Sequence, residues 1–435
     1  MMKITRILLI TFTLLTFVLP VFAQGNSSIA LILTAEGPIM PPMLEYIKRG
    51  IERGERIDAE VIVIRLNTPG GSVDTMNKIV EAIRKSQVPV VVYVAPRDAQ
   101  AASAGAIITM AGHASAMAPR TIIGAASPIS SSGSNIESTL EKKIIEDLKA
   151  KTRTLVSHRG EKAVKLAEAM IEDAIAVTAN EALEANLIDF IADDVEDLLQ
   201  ALNGFTVQMD SGARTLNTSN ILEQSLNMSF IEGLLLLLTD PNIAFLLLAI
   251  GVQAILIEIS TPGGWVAGFI GAVCLTLATY GLGVLPINWF GIIFLIIAFI
   301  LFILDIKAAT HGALTAAGVG SFIVGALVLF NSPGTPEFQR VSVPLVVSTG
   351  IFLGLIFFVI LVFALRALRN TIQVGSESLL GKTGTARTSI KEAGQVQVES
   401  ELWSASKSKD SASISKGDLI EVVEVRGLRL IVKKK

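Results

Sequence analysis

The chain is predicted to be a layered α/β domain followed by an α-helical multipass membrane domain and a small all-β barrel of OB type. Three observations predict this. Short β-branched runs alternate with amphipathic stretches between about Ser28 and Asn203. Apolar runs of bilayer length follow between Ile243 and Leu365. Short runs punctuated by glycine then close the chain from Ser376 to Lys435. Composition agrees, because 51% of the 435 residues are hydrophobic and 17% are charged, too apolar for a soluble chain of several domains.

The first element is a leader. Lys3 and Arg6 precede an apolar stretch from Ile7 to Val18, and small residues come next near Ala23, so residues 1–23 read as a secretory signal, with an uncleaved anchor helix as the alternative. The segment after the leader would then face away from the cytoplasm. In the α/β domain, residues 24–203, Ile29–Leu33, Val61–Leu66 and Val88–Ala95 read as buried strands. Pro42–Arg53, Ser72–Lys85, Ala101–Ala111 and Thr139–Ser157 read as helices. Val73, Met76, Ile79, Val80 and Ile83 share one helical face, which fits packing against a sheet. Residues 204–228 lose periodicity and gain Asn, Ser, Thr and Gly, so a linker is expected there.

The membrane domain, residues 229–370, is expected to hold about five helices: Ile243–Ile259, Trp265–Leu285, Trp289–Leu304, Ala316–Phe330 and Leu345–Leu365. Ile231–Leu238 is too short to span and ends at Asp240-Pro241, so it is expected at the interface. An outside start and five crossings put Lys307, Arg366 and Arg369 in the cytoplasm, in accord with the positive-inside rule. Glu258 and Asp305 fall near helix ends, where snorkelling to water explains them better than a proton relay does. Gly264 with Gly268, and Gly350 with Gly354, have the spacing that lets helices approach closely. Cys274 is the only cysteine, so no intrachain disulfide forms.

Residues 376–435 carry strand-like runs at Thr383–Ala386, Gln395–Val398, Leu419–Val425 and Leu428–Val432. Their close succession predicts a small five-stranded barrel. Trp403 is its only aromatic residue and the whole chain has a net charge of −3, which excludes a nucleic-acid binder. A protein-interaction or assembly module is expected instead.

The chemistry concentrates in two short segments of the α/β domain. Ser103, in Ala102-Ser103-Ala104-Gly105, comes after a strand and opens a helix, where the helix dipole favours developing negative charge. An ordinary helix cap would use a serine at the same position. Gly70 and Gly71, in Asn67-Thr68-Pro69-Gly70-Gly71, leave backbone N–H groups open to an oxyanion, although a plain tight turn has the same composition. A base is needed besides a nucleophile and donors. His113 is at the far end of the helix that Ser103 opens, His158 ends another helix, and His311 is at the membrane edge, so a histidine triad is not expected. Lys142, Lys143, Lys149 and Lys151 share the helix after the Ser130-Ser131-Ser132-Gly133-Ser134 loop. A lysine takes the serine proton only when neutral, which requires burial to lower its pKa from about 10.4 toward 7. Leu140, Ile144 and Ile145 give Lys143 the most apolar setting of the four, while pairing with Glu146 or Asp147 would leave it an ordinary solvated lysine. No Walker-type phosphate loop and no metal-ligand cluster occurs, so no cofactor is expected.

Asn67-Thr68-Pro69-Gly70-Gly71, Ala102-Ser103-Ala104-Gly105, Met117-Ala118-Pro119 and Ile123-Gly124-Ala125 together resemble the ClpP-like serine protease domain of membrane-bound NfeD-type proteins. Thr261-Pro262-Gly263-Gly264, His311-Gly312 and the barrel run from Gly381 through Leu428 extend the resemblance to nearly the whole chain. The resemblance implies a ClpP/crotonase-like fold and a Ser–Lys dyad, with Ser103 as nucleophile and Lys143, or the adjacent Lys142, as base. It implies oxyanion donors at Gly71 and Ala104, with Gly70 shaping the turn. ClpP would place its histidine near Gly124 and Ala125, where this chain has none. The resemblance further implies a stomatin-like (SPFH or band 7) membrane partner, cleavage of peptides near hydrophobic segments, and self-association. A non-catalytic scaffold that organises such a partner is the rival expectation.

Overall fold

The computed structural model describes residues 28–128, 138–260, 264–308, 310, 312–333, 335–369 and 376–435. The expected leader at 1–23, the Ser130–Ser134 loop and His311 lie outside the described residues.

The α/β domain is built on a six-stranded sheet in the order β11-β1-β2-β3-β5-β8. Its strands are β1 (Ile29–Glu36), β2 (Val61–Asn67), β3 (Val90–Val94), β5 (Ala114–Met117), β8 (Phe190–Ile191) and β11 (Leu222–Leu226). All neighbours pair in parallel, as in Ile64 with Val92. Parallel strands need cover on both faces, and the side chains divide accordingly. Leu31, Leu33, Ile62, Ile64 and Val92 enter one core. Ala30, Ile32, Val61, Val63 and Tyr93 enter the other.

Helices α1 (Pro41–Arg56) and α2 (Val73–Lys85) cover the first face. In α2 the expected stripe buries Met76, Ile79 and Ile83, whereas Val73 is exposed at the first turn. Ser72 caps that turn, accepting from the Thr75 N–H. A smaller sheet, β4 (Gln100–Ala102), β6 (Ile122–Gly124) and β7 (Ala176–Thr178), stands beside α3 (Ala104–Ala111). The helix expected from Ala101 therefore starts three residues later. Gln100 to Ala102 pair with Ile122 to Gly124 instead, because small residues that close-pack a helix also fit a tightly bonded strand. Helices α4 (Ser138–Val156) and α5 (Glu161–Glu172) pack together, and α6 (Ala179–Glu184) and α7 (Val195–Leu202) complete the domain.

The linker expected over 204–228 is not one. β9 (Thr206–Met209) and β10 (Gly212–Thr215) form a hairpin, and β11 joins the sheet edge by pairing with β1. Beyond it, α8 (Phe230–Leu237) is the short apolar helix expected at the interface, and Ser229 with Glu232 forms its capping box.

Pro241–Ile259, Val266–Val284, Ala313–Phe330 and Glu337–Ile360 are long and apolar enough to cross a membrane, and Phe290–Asp305 is a shorter apolar helix. The corresponding helices are α9 (Pro241–Ser260), α10 (Val266–Val284), α11 (Phe290–Ala308), α12 (Ala313–Phe330) and α13 (Val343–Arg369), the last preceded by a 3-10 turn at Glu337–Gln339. Gly271 lets α9 and α10 meet closely, since a Cβ there would fall 2.8 Å from Ile255 and 2.9 Å from the Gly251 carbonyl oxygen. Glu258 does not snorkel as expected: its carboxylate accepts from Trp265 N–H (3.0 Å) and Gly268 N–H (3.2 Å) at the start of α10. Asp305 departs further, being fully buried and accepting from the Thr310 hydroxyl, Gly312 N–H, Thr315 N–H and the Thr315 hydroxyl at the start of α12. Both acids bond backbone N–H groups seven and ten positions ahead. Each thus satisfies orphan donors of the next helix, which accounts for a carboxylate inside an apolar hairpin without a transport role.

The C-terminal residues form a closed barrel in the order β12-β13-β14-β16-β15. Its strands are β12 (Thr383–Ala386), β13 (Ala393–Val398), β14 (Glu401–Lys407), β15 (Leu419–Arg426) and β16 (Arg429–Lys434). Only β14 and β16 pair in parallel. Val396, Val398, Ala405, Ile420, Val422, Leu430 and Val432 fill the interior at alternating positions.

Candidate active site

The glycine turn and Ser103 are brought together by a strip of backbone that continues β2. Thr68 N–H donates to the Gln100 carbonyl at 2.7 Å, and Ala102 N–H donates to the Thr68 carbonyl at 3.1 Å. On its other side the strip meets Ile39, whose N–H donates to the Gly70 carbonyl at 2.8 Å and whose carbonyl accepts from Ser72 N–H at 2.9 Å. Successive N–H groups of an extended strip alternate in direction. With Gly70 and Ser72 bonded toward Ile39, the Gly71 N–H turns to the opposite edge, along which residues 100–103 run. Buried Thr68 braces the turn, its hydroxyl 3.1 Å from both the N–H and the carbonyl of Gly70.

Glycine is required at both turn positions. Gly70 has φ +117°, and a Cβ there would fall 2.8 Å from Ser103 Cβ and 3.3 Å from its Oγ. A Cβ on Gly71 would fall 2.2 Å from the Ile39 carbonyl oxygen. Real Cβ atoms do not approach backbone that closely, so the turn lies directly against the serine.

Ser103 itself has φ 53° and ψ −116°, a conformation uncommon outside glycine. Its N–H is held by the Gly124 carbonyl at 2.8 Å. It occupies the N-cap position of α3, yet its side chain makes no capping hydrogen bond, which removes the ordinary reason for a serine there. A strained residue on a sharp strand-to-helix turn is also how nucleophile elbows expose a hydroxyl. Ala104 N–H, the first of α3, has no acceptor within the helix. Gly105 keeps α3 close, since a Cβ there would fall 2.4 Å from Thr68 Cγ2. The Ser103 hydroxyl, the glycine turn and the N-terminus of α3 therefore adjoin one another. Of these parts, the brace from Thr68 and the strip at Ile39 are not apparent in sequence, because backbone pairing has no side-chain signature.

The lysines stand differently. Lys142 and Lys143 are exposed in the first turns of α4. The burial expected for Lys143 is not met within the single chain, because Ile144, Ile145 and Leu148 turn toward the core and leave it on the outer side. The pairing expected with Glu146 or Asp147 belongs to other lysines. Lys149 binds Glu172 at 2.6 Å and Glu146 at 3.4 Å, and Lys151 binds Asp147 at 2.7 Å. Among the described residues Lys142 and Lys143 have no carboxylate partner.

His113 is structural. It is 6% exposed, its Nδ1 accepts from Val90 N–H at 3.0 Å, and burial pushes its pKa down to about 4. The unfolded chain takes up this proton near pH 6.5, the folded one only near 4, so this contribution to stability is complete above pH 6.5 and is lost as pH falls toward 4. The loss is on the order of 3 kcal/mol. His113→Asn, whose side-chain oxygen can still accept from Val90, should flatten that part of the pH dependence when denaturation midpoints of the full chain are compared between pH 7 and 4.

The fold and its serine turn define a ClpP/crotonase-like α/β domain carried on a multipass membrane domain that ends in an OB-like barrel. Residues 32–212 match the family described as "NfeD1b, N-terminal domain", residues 242–363 the "NfeD integral membrane domain", and residues 376–434 the "NfeD-like C-terminal, partner-binding domain". The membrane-bound protease PH1510 of Pyrococcus horikoshii is 36% identical over 98% of this chain and 97% of its own. Two solved structures are of 1510-N, a membrane-bound stomatin-specific protease. One is a serine-to-alanine mutant, 35% identical over 47% of this chain and 99% of that one, with a TM-score of 0.44. The other, a lysine-to-alanine mutant in complex with a substrate peptide, is 34% identical over 49% of this chain and 99% of that one, with a TM-score of 0.46. The chain belongs to the NfeD family.

Proposed function

We propose that the protein is a membrane-bound serine endopeptidase that cleaves peptide bonds near hydrophobic segments, with a stomatin-like (SPFH or band 7) protein as partner and substrate. The observation that carries this reading is Ser103: held at positive φ, free of a capping bond, and pressed against the glycine turn at Gly70. Ser103 Oγ attacks the peptide carbonyl, neutral Lys143 accepts the hydroxyl proton and later delivers it to the leaving amine, and water then releases the acyl group. Gly71 and Ala104 N–H groups receive the oxyanion, with Gly70 holding the turn. The related membrane-bound protease of Pyrococcus horikoshii supports a protease role.

Since Lys143 is exposed in the single chain, bound peptide or a second copy of the chain supplies its desolvation. In this reading the α/β domain lies outside the cytoplasm and the barrel inside, and the barrel engages the partner, as the description of its matching family supports. The test is incubation of the purified full-length protein in lipid nanodiscs with a stomatin-like protein and a series of apolar peptides. Fragments bearing new amino termini are expected. Substrate that stays intact at every concentration would leave a scaffold that binds without cutting.

A further inference from the structure

A cavity of about 360 Å³ lies beside the glycine turn and is used by no step of the proposed reaction. Pro38, Met40 and Pro69 form one wall, and Gly233, Leu237 and Phe338 face them. Pro69 immediately precedes Gly70, and the neighbouring Ile39 pairs with Gly71, so this wall is the strip whose far edge meets Ser103.

Gly233 and Leu237 of the opposite wall belong to α8, which is fastened to the α/β domain. Arg49 donates to both carboxylate oxygens of Glu232 at 2.8 and 2.7 Å and to the Asn227 carbonyl at 2.9 Å. Tyr46 donates to the Leu226 carbonyl at 2.6 Å, and Leu236 packs on the core. The outer side of α8 is apolar and bare, with Phe230 83% and Ile231 66% exposed. After Asp240 the chain enters the span Pro241–Ile259. An apolar helix face continuous with a membrane span lies in the bilayer interface. The cavity therefore opens at the membrane surface, one residue from the catalytic turn. Asp240, whose carboxylate accepts from Asn242 and Ile243 N–H, puts negative charge at its edge.

We propose that this cavity is a subsite for an apolar side chain of a peptide segment lying at the bilayer surface, and that it rejects an acidic residue at that position. The proposal rests on the peptidase reading and names where its specificity arises. Gly233 offers a clean probe, since a Cβ there meets nothing within 4 Å and leucine favours a helix. Gly233→Leu should fill the space without disturbing the fold.

Binding is measured in full-length Ser103→Ala protein in nanodiscs, using a fluorescent apolar peptide and the same peptide with one leucine replaced by aspartate. Gly233→Leu should weaken the apolar peptide about tenfold, and the aspartate peptide should bind the parent about tenfold more weakly. A photo-crosslinker at Leu237 should label the peptide. Equal affinity in Gly233→Leu and parent, no peptide binding by the parent, or crosslinks confined to lipid acyl chains would overturn the subsite. Because the parent lacks the nucleophile, these results are independent of the cleavage assay that decides the peptidase reading.

Discussion

Ser103→Ala should lower peptide cleavage by about 10⁶-fold, and Lys143→Ala by about 10³-fold, with substrate affinity little changed in both. Removal of a nucleophile leaves only what oriented binding and oxyanion donors supply. The lysine prediction depends on which amine can give up its charge. Lys149 is held by Glu172 and Glu146, and Lys151 by Asp147, so both amines are engaged by carboxylates. Lys142 and Lys143 have no such partner among the described residues. Lys142→Ala should therefore leave the rate close to wild type if Lys143 is the base, and the double variant should be no slower than Lys143→Ala. Cleavage that survives both single lysine substitutions and the double one would remove the dyad.

How much of the molecule is legible in sequence depends on how local each signal is. Val61–Asn67 and Val90–Val94 are legible as strands because every residue in them except Arg65 and Asn67 is a β-former or is buried on one of two faces. β11 is not, since Leu222 and Glu223 to Ser225 are exposed and only pairing with β1 holds them in place. β14, a barrel strand with no clear sequence signal, alternates Ala405 inside with polar neighbours and lacks a β-branched run. The serine and the glycine turn are legible as candidates, but their contact depends on Thr68, Ile39 and Gly124 carbonyls and N–H groups that any residue possesses. Asp305 shows the same limit. Position near a helix end suggests exposure, whereas the buried carboxylate answers four donors from a segment later in the chain.

Gly71→Ala should lower kcat by about 10²- to 10³-fold, the cost of one oxyanion donor, or about 2.7 to 4 kcal/mol of barrier stabilisation. The reason is geometric. An added Cβ would fall 2.2, 2.6 and 2.7 Å from the carbonyl oxygen, nitrogen and carbonyl carbon of Ile39, all backbone atoms that cannot rotate aside. The strip must separate from Ile39, and the Gly71 N–H is then carried away from the edge where Ser103 stands. Gly70→Ala meets a different obstacle, a φ of +117° together with Ser103 Cβ at 2.8 Å, so it should displace the nucleophile itself and lose more activity. Gly283→Ala is the control, because its Cβ would have open space in a membrane helix. It should keep the wild-type rate. Circular dichroism and affinity for uncleaved peptide separate a lost donor from a lost fold. Unchanged kcat in well-folded Gly71→Ala protein would show that the oxyanion is received somewhere other than this turn.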